Sequence, residues 1–136
     1  LASGVVPGLS VDVDEAPPPT SLEAVVDGYA DAWNDPDALS RLETLGRVWA
    51  ASGRYRDPTA HVRGREALSE HIVGYQAQLP GTTIRRSGPV QRTGAQFYFP
   101  WEIADGAGNV VATGRDAGEL DVDGRILEIR GFFDRP

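Results

Sequence analysis

The apolar residues of this chain change their period once, at Pro80-Gly81. Before that point they recur at spacings of three and four, which is how a helix presents one buried stripe. Beyond it they recur at every second position, which is how a strand presents one buried face. Helices first and strands last, with one short strand among the helices, cannot assemble from repeating strand-helix-strand units. The pattern predicts an α+β fold in which three N-terminal helices cover one face of a curved antiparallel sheet.

In the helical part, Thr20 and Glu23 have capping-box spacing, and Leu22, Val25, Val26, Tyr29, Ala30 and Trp33 follow as a stripe that turns Tyr29 inward. Asp35-Pro36 predicts the start of a second helix, with Leu39, Leu42, Leu45, Val48 and Trp49 on one side. A short strand, 54–57, comes next, and Gly64 leads into a third helix carrying Leu68, Ile72, Tyr75 and Leu79 until Pro80-Gly81 stops it. Residues 1–20, with Pro17-Pro18-Pro19, have too little apolar periodicity to pack and read as a flexible tail ahead of a single domain, 21–136.

In the strand part, 82–92 reads as a strand broken near Gly88-Pro89. Residues 95–104 alternate cleanly, with Phe97, Phe99, Trp101 and Ile103 on one face and Pro100 on the other, a sign of an edge or bulge. A turn at 105–109 leads into 109–122, and Asp123-Gly124 makes a hairpin into the last strand, 125–133. Within 109–122 one parity reads Val110, Ala112, Gly114, Asp116, Gly118, Leu120, Val122. Asp116 therefore points inward among small and apolar residues. An isolated ionised carboxylate there costs several kcal/mol, so it must find a partner, keep its proton or face a cavity. Tyr55-Arg56-Asp57-Pro58 suggests a second inward carboxylate, and two acids converging on an apolar interior raise the question of acid/base chemistry.

Composition narrows the function classes. With 136 residues and 40% hydrophobic content, the chain supports one core. A net charge of −7 and scattered basic pairs such as Arg85-Arg86 argue against nucleic-acid binding. No cysteine and two separated histidines argue against a metal site. No apolar stretch nears the roughly 18 residues that span a bilayer, and no nucleotide or flavin motif is present. The chain is expected to work without a cofactor, away from membranes and in the cytoplasm. Leu1 is not a start methionine, which points to trimming or processing and leaves a removed export signal open.

The order of motifs, a helix with inward Tyr29 ending in Trp33-Asn34, the strand Tyr55-Arg56-Asp57-Pro58, Gly64 before a helix, an aromatic strand ending at Trp101, Gly114-Arg115-Asp116, and a hairpin running to Phe132-Phe133, resembles the cone-shaped α+β barrel superfamily. That superfamily holds nuclear transport factor 2, SnoaL-like polyketide cyclases, ketosteroid isomerases and limonene epoxide hydrolase, and the resemblance covers about residues 21–135. Ketosteroid isomerase matches best: its oxyanion-hole tyrosine and an asparagine five positions on correspond to Tyr29 and Asn34, its general base to Asp57, and its protonated second donor to Asp116. The resemblance implies proton abstraction and return alpha to a carbonyl, as an isomerase or cyclase, with Asp57 ionised as base and Asp116 and Tyr29 as donors to the enolate oxygen. The tyrosine that supports the catalytic one in the isomerase aligns with Ile72, with His71 and Tyr75 beside it. Epoxide hydrolase matches less well, since the Arg-x-Asp pair it needs in one strand and the Asp it needs in the last are replaced here by Phe99 to Trp101 and Gly131.

Trp33, Tyr55, Phe97, Phe99, Trp101 and Phe133 are expected to line an apolar pocket for a small hydrophobic carbonyl compound. A homodimer is expected through the outer sheet face, at Tyr98, Ile126 and Phe132. Purely structural roles remain open for each acid and for the tyrosine: an Asx turn for Asp57, pairing of Asp116 with an inward arginine such as Arg63, and a core position for Tyr29. His61 and His71 are expected to be solvated or capping. The rival function is a non-catalytic pocket that binds a small apolar ligand.

Overall fold

The computed structural model describes residues 16–134. Residues 1–15 of the expected tail lie outside the described residues, and 16–20 carry neither helix nor strand. Helix α1 (Leu22–Asn34) is capped by Ser21, whose hydroxyl accepts from Ala24 N at 3.1 Å, one residue later than the expected Thr20. That shift puts Glu23 too early in the helix for a capping box. Helix α2 (Ala38–Val48) is capped by Asp37 rather than Asp35, which instead accepts from Asp37 N in the preceding turn. The later start leaves Leu39 in an exposed first turn, 75% accessible, and its expected place inside is taken by Arg41. Arg41 is buried with two of its donors engaged: Nε donates to Ser69 Oγ and an Nη to Asp35 O.

Strand β1 (Trp49–Asp57) follows α2 directly and is longer than the expected 54–57. It turns into β2 (Ala60–Arg63), whose alternation of Ala60 and Val62 with His61 and Arg63 is too short to stand out in the sequence. Helix α3 (Arg65–Gln78) starts after Gly64, whose φ of 93° suits glycine. Then come β3 (Thr83–Arg86), β4 (Gln91–Thr93), β5 (Gln96–Ala104), β6 (Val110–Leu120) and β7 (Ile126–Phe133). The strand order is β2-β1-β7-β6-β5-β3, with β4 also on β5. Pro100 is on an interior strand, opposite the break at Gly88-Pro89 that separates β3 from β4, where it interrupts no continuous ladder.

The sheet is mixed rather than wholly antiparallel. β7 returns beside β1 in the same direction, because the chain between them passes through a helix and the whole meander instead of a tight turn. Register shifts in the β1-β7, β5-β6 and β6-β7 pairs bend the sheet around the helices without closing it. The core between sheet and helices holds Val26, Leu45, Trp49, Leu68, Ile72, Ile126 and Ile129. Ile126 is thus inside, not on the outer face, and Val110 and Val122, expected inside, are exposed at the two ends of the β6 run. Phe97 lies over Gly118, its register partner on β6, where any Cβ would come within 2.3 Å of the ring.

Candidate functional site

A cavity of about 730 Å³ opens between the helices and the concave face of the sheet. Its floor is one row of residues across four neighbouring strands: Asp57 at the end of β1, Gly131 on β7, Asp116 on β6 and Phe99 on β5. Asp116 points inward, as its parity with Gly114 and Gly118 requires, and is 7% exposed. Trp101 Nε1 donates to its Oδ1 at 3.0 Å. The indole can lie there because Gly114, its partner across the ladder, has no side chain; a Cβ would stand 2.1 Å from the ring.

No described arginine pairs with Asp116, and Arg63 is exposed on β2. Burial pushes the Asp116 carboxyl up to about 7, opposed by the Trp101 hydrogen bond and reinforced by the charge of Asp57. Near neutral pH this acid is therefore present in both protonated and ionised forms.

Asp57 accepts three hydrogen bonds. Tyr55 OH donates to Oδ2 at 2.6 Å, and Thr59 N and Oγ1 donate to Oδ1 at 2.8 and 3.0 Å. The Asx turn weighed for this residue is real, and Asp57 lines the cavity as well. Gly131 shows how closely the floor converges: a Cβ built there would be 3.2 Å from Asp116 Oδ1, 3.6 Å from Asp57 Cβ and 3.6 Å from Tyr55 OH. Burial raises the Tyr55 hydroxyl far above its usual range, and its hydrogen bond to Asp57 and the charges of Asp57 and Asp116 add to this.

Tyr29 lines the cavity from α1, stacked on Trp49 with ring centroids 5.5 Å apart and edge-on to Trp33 at 6.2 Å. Burial first and the Asp116 charge second hold its hydroxyl well above the ordinary phenol value, so it remains a proton donor. Trp33, Tyr55, Phe99, Trp101 and Phe133 line the cavity too. Phe97 does not: it shares the parity of Phe99 and stacks on it, but lies buried between Phe99 and Gly118. Asn34 is also away from the site, with its amide bonded to both backbone atoms of Ile84, pinning the end of α1 to β3.

His71 and Tyr75 add aromatic wall beyond the expected set. His71 stands edge-on to Trp33 at 5.7 Å and 5.3 Å from the Tyr55 ring, and Tyr75 is edge-on to Trp33 at 5.1 Å. Tyr75 is on the expected inward stripe with Ile72, which is fully buried in the core, whereas His71, expected to be solvated or capping, faces the cavity. The signal was the helical spacing from Leu68 to His71 and Tyr75, which puts all three on adjoining parts of one face. Among the described residues no cluster of His, Cys, Asp or Glu could hold a metal ion, and no helix is long and apolar enough to cross a membrane.

No protein-family model and no curated protein sequence matches the chain. Solved structures do. A candidate isomerase of the SnoaL-like family from Agrobacterium tumefaciens is 29% identical with a TM-score of 0.78, covering 83% of this chain and 97% of its own. A candidate SnoaL-like polyketide cyclase from Jannaschia sp. CCS1 is 18% identical with a TM-score of 0.68, covering 89% and 90%. A protein of ketosteroid isomerase-like fold from Catenulispora acidiphila, in complex with trimethylamine, is 19% identical with a TM-score of 0.65, covering 81% and 85%.

Proposed function

We propose that this chain, which belongs to the nuclear transport factor 2-like, SnoaL-like superfamily, is a cofactor-free enzyme that removes a proton alpha to a carbonyl and returns it, as an isomerase or polyketide cyclase. One observation carries the reading: Asp57, Tyr55 and Asp116 meet at the space left by Gly131, on the floor of an aromatic cavity. Asp57 takes the proton. The charge that develops on the carbonyl oxygen is met by hydrogen bonds from protonated Asp116 and from Tyr29. A carboxylic acid kept neutral by an apolar site so that it can donate is the device known from ketosteroid isomerase. A positioned base contributes about two to four powers of ten in rate, and each such donor a few kcal/mol. Tyr55 holds the base in place and gives up that hydrogen bond least easily when Asp57 is ionised.

The test is binding of 2-naphthol, whose oxygen imitates the enolate. The protein should bind it, raise its naphtholate fraction, and seat the oxygen between Tyr29 and Asp116 in a co-crystal structure. Binding with the oxygen turned to the mouth would remove the oxyanion assignment.

A second reading, a pocket that binds without turnover, has two supports. Both oxygens of Asp57 are already engaged by Tyr55 and Thr59. A substrate proton must displace one of these donors, and a neighbour of this fold does hold a small amine.

We place a second copy of the chain on the outer sheet face, where Tyr98 and Phe132 are 37% and 53% exposed beside Arg54, Arg56 and Arg130 around Glu128. Apolar area rimmed by charge suits a moderate interface. Sedimentation should show a dimer that Phe132→Asp dissociates, and a wild-type monomer at tens of micromolar, as an order of magnitude for weak pairing, would end this claim.

A further inference from the structure

We propose that Trp33 is a positioning residue for Tyr29, its indole N–H donating to the Tyr29 oxygen while the Tyr29 hydroxyl donates to the substrate. The two residues are four apart on α1, on the face that meets the cavity, with their rings edge-on at 77° and centroids 6.2 Å apart. Trp33 is 6% exposed, and its Nε1 is buried without a hydrogen-bond partner among the described residues. An indole N–H can only donate, so a buried one left unmatched calls for an acceptor.

The Tyr29 oxygen is the acceptor that the surroundings favour. Burial holds the Tyr29 hydroxyl far above the ordinary phenol value, and Asp116, Tyr55 and Asp57 raise it further. The Trp33 N–H acts the other way, so it already reaches that oxygen, short of an aligned hydrogen bond. Contacts of this kind tighten when substrate is bound. Trp49 cannot take the part. Its Nε1 is also buried and unmatched, but its ring stacks on Tyr29 at 12°, and its Nε1 lies against Gly53, where a Cβ would be 2.5 Å away.

The indole is held for this role. Tyr55, His71 and Tyr75 surround it with ring centroids at 5.4, 5.7 and 5.1 Å, and Gln76 Nε2 donates to the Trp33 carbonyl at 3.0 Å. As enolate charge develops, the Tyr29 hydrogen shifts toward the substrate oxygen, and the Tyr29 oxygen becomes a better acceptor. A fixed N–H aimed there strengthens a donor that burial weakens. The inference rests on Tyr29 being an oxyanion donor in the reaction proposed above.

Proton–nitrogen correlation spectra of the tryptophan indoles in the intact protein read the contact directly. The Trp33 resonance, identified by its loss in Trp33→Phe, should move downfield when 2-naphthol binds. That movement should vanish in Tyr29→Phe, which keeps the ring and lacks the oxygen. Benzothienylalanine in place of Trp33 keeps the indole's shape without its N–H. It should lower the naphtholate-to-naphthol ratio of the bound ligand by roughly two- to tenfold, the range for one ordinary hydrogen bond, and should not lower it in a Tyr29→Phe background. An unmoved indole proton overturns the proposal. So does a loss of ratio that persists in full with Tyr29→Phe, because the indole would then act on the ligand or the fold and not through Tyr29. Either result with the 2-naphthol oxygen seated at Tyr29 ends this inference and keeps the proposed reaction. A naphthol oxygen seated away from Tyr29, or no binding, removes both.

Discussion

Asp116 and Gly131 face each other across β6 and β7, and the missing side chain at 131 is what leaves Asp116 Oδ1 its place. An added Cβ would stand 3.2 Å from that oxygen, close enough to move the carboxyl by a few tenths of an ångström. Gly131→Ala should fold, melting within a few degrees of the wild type. Misplacement by an ångström costs about a hundredfold in rate, so 2-naphthol affinity and any turnover should fall by roughly tenfold or more. A variant that binds and turns over like the wild type would show that the reacting atoms sit elsewhere.

Stability should depend on pH through Asp116. Its folded pKa, about 7, lies above its value of 3.8 in the unfolded chain, so the folded state holds the proton more tightly. That contribution is full below about pH 4 and is lost as pH rises through about 7, a change on the order of a few kcal/mol. Thermal melts from pH 5 to pH 9 should fall, and Asp116→Asn should flatten the fall. Activity that needs the protonated donor should decline over the same alkaline range. Trp101→Phe removes the hydrogen bond that favours the ionised form, so it should move this limb to higher pH.

The two acids should respond differently to the same isosteric change. Asp57→Asn leaves a side chain that cannot take a proton, and turnover of a carbonyl substrate should drop by roughly two powers of ten or more with ligand affinity largely kept. Asp116→Asn retains an N–H donor and should lose less activity than Asp116→Leu. Steady-state kinetics of the three variants settle the point. Equal losses for both asparagine variants would contradict separate roles for base and donor.

Gly118→Val offers a check on packing away from the acids. The new side chain meets the Phe97 ring, 2.3 Å from where its Cβ would lie, and neither the strand nor the ring can easily yield. Overpacking of this kind costs about 1–3 kcal/mol. A fall in Tm of several degrees is expected, and an unchanged Tm would mean that Phe97 is not held against β6.

Much of the site was legible where one residue's neighbours in sequence are also its neighbours in space. The alternation through Gly114, Asp116 and Gly118 turned the acid inward, and the structure keeps it there at 7% exposure. The same reasoning put Phe97 in the pocket wall beside Phe99 and Trp101, and there it failed, because parity names a face and not the distance along it. His71 failed for the opposite reason: a polar residue on an apolar helical face was read as solvated, whereas α3 lies over the mouth of the sheet and turns that residue toward Trp33 and Tyr55.

The sequence by itself determined the periods of the elements, their order, and the inward direction of Tyr29 and Asp116, since these follow from steric alternation within a helix or a strand. Tertiary structure alone decided that β7 returns parallel to β1, which puts Asp57, Gly131 and Asp116 in one row. It also decided that Trp101 bonds Asp116 across the β5-β6 pair. Strand pairing brings together residues fifteen or more positions apart, and no local period carries that register. The raised pKa of Asp116 belongs to the same class, because desolvation depends on everything packed around the carboxyl, and most of that comes from other strands and from the helices above.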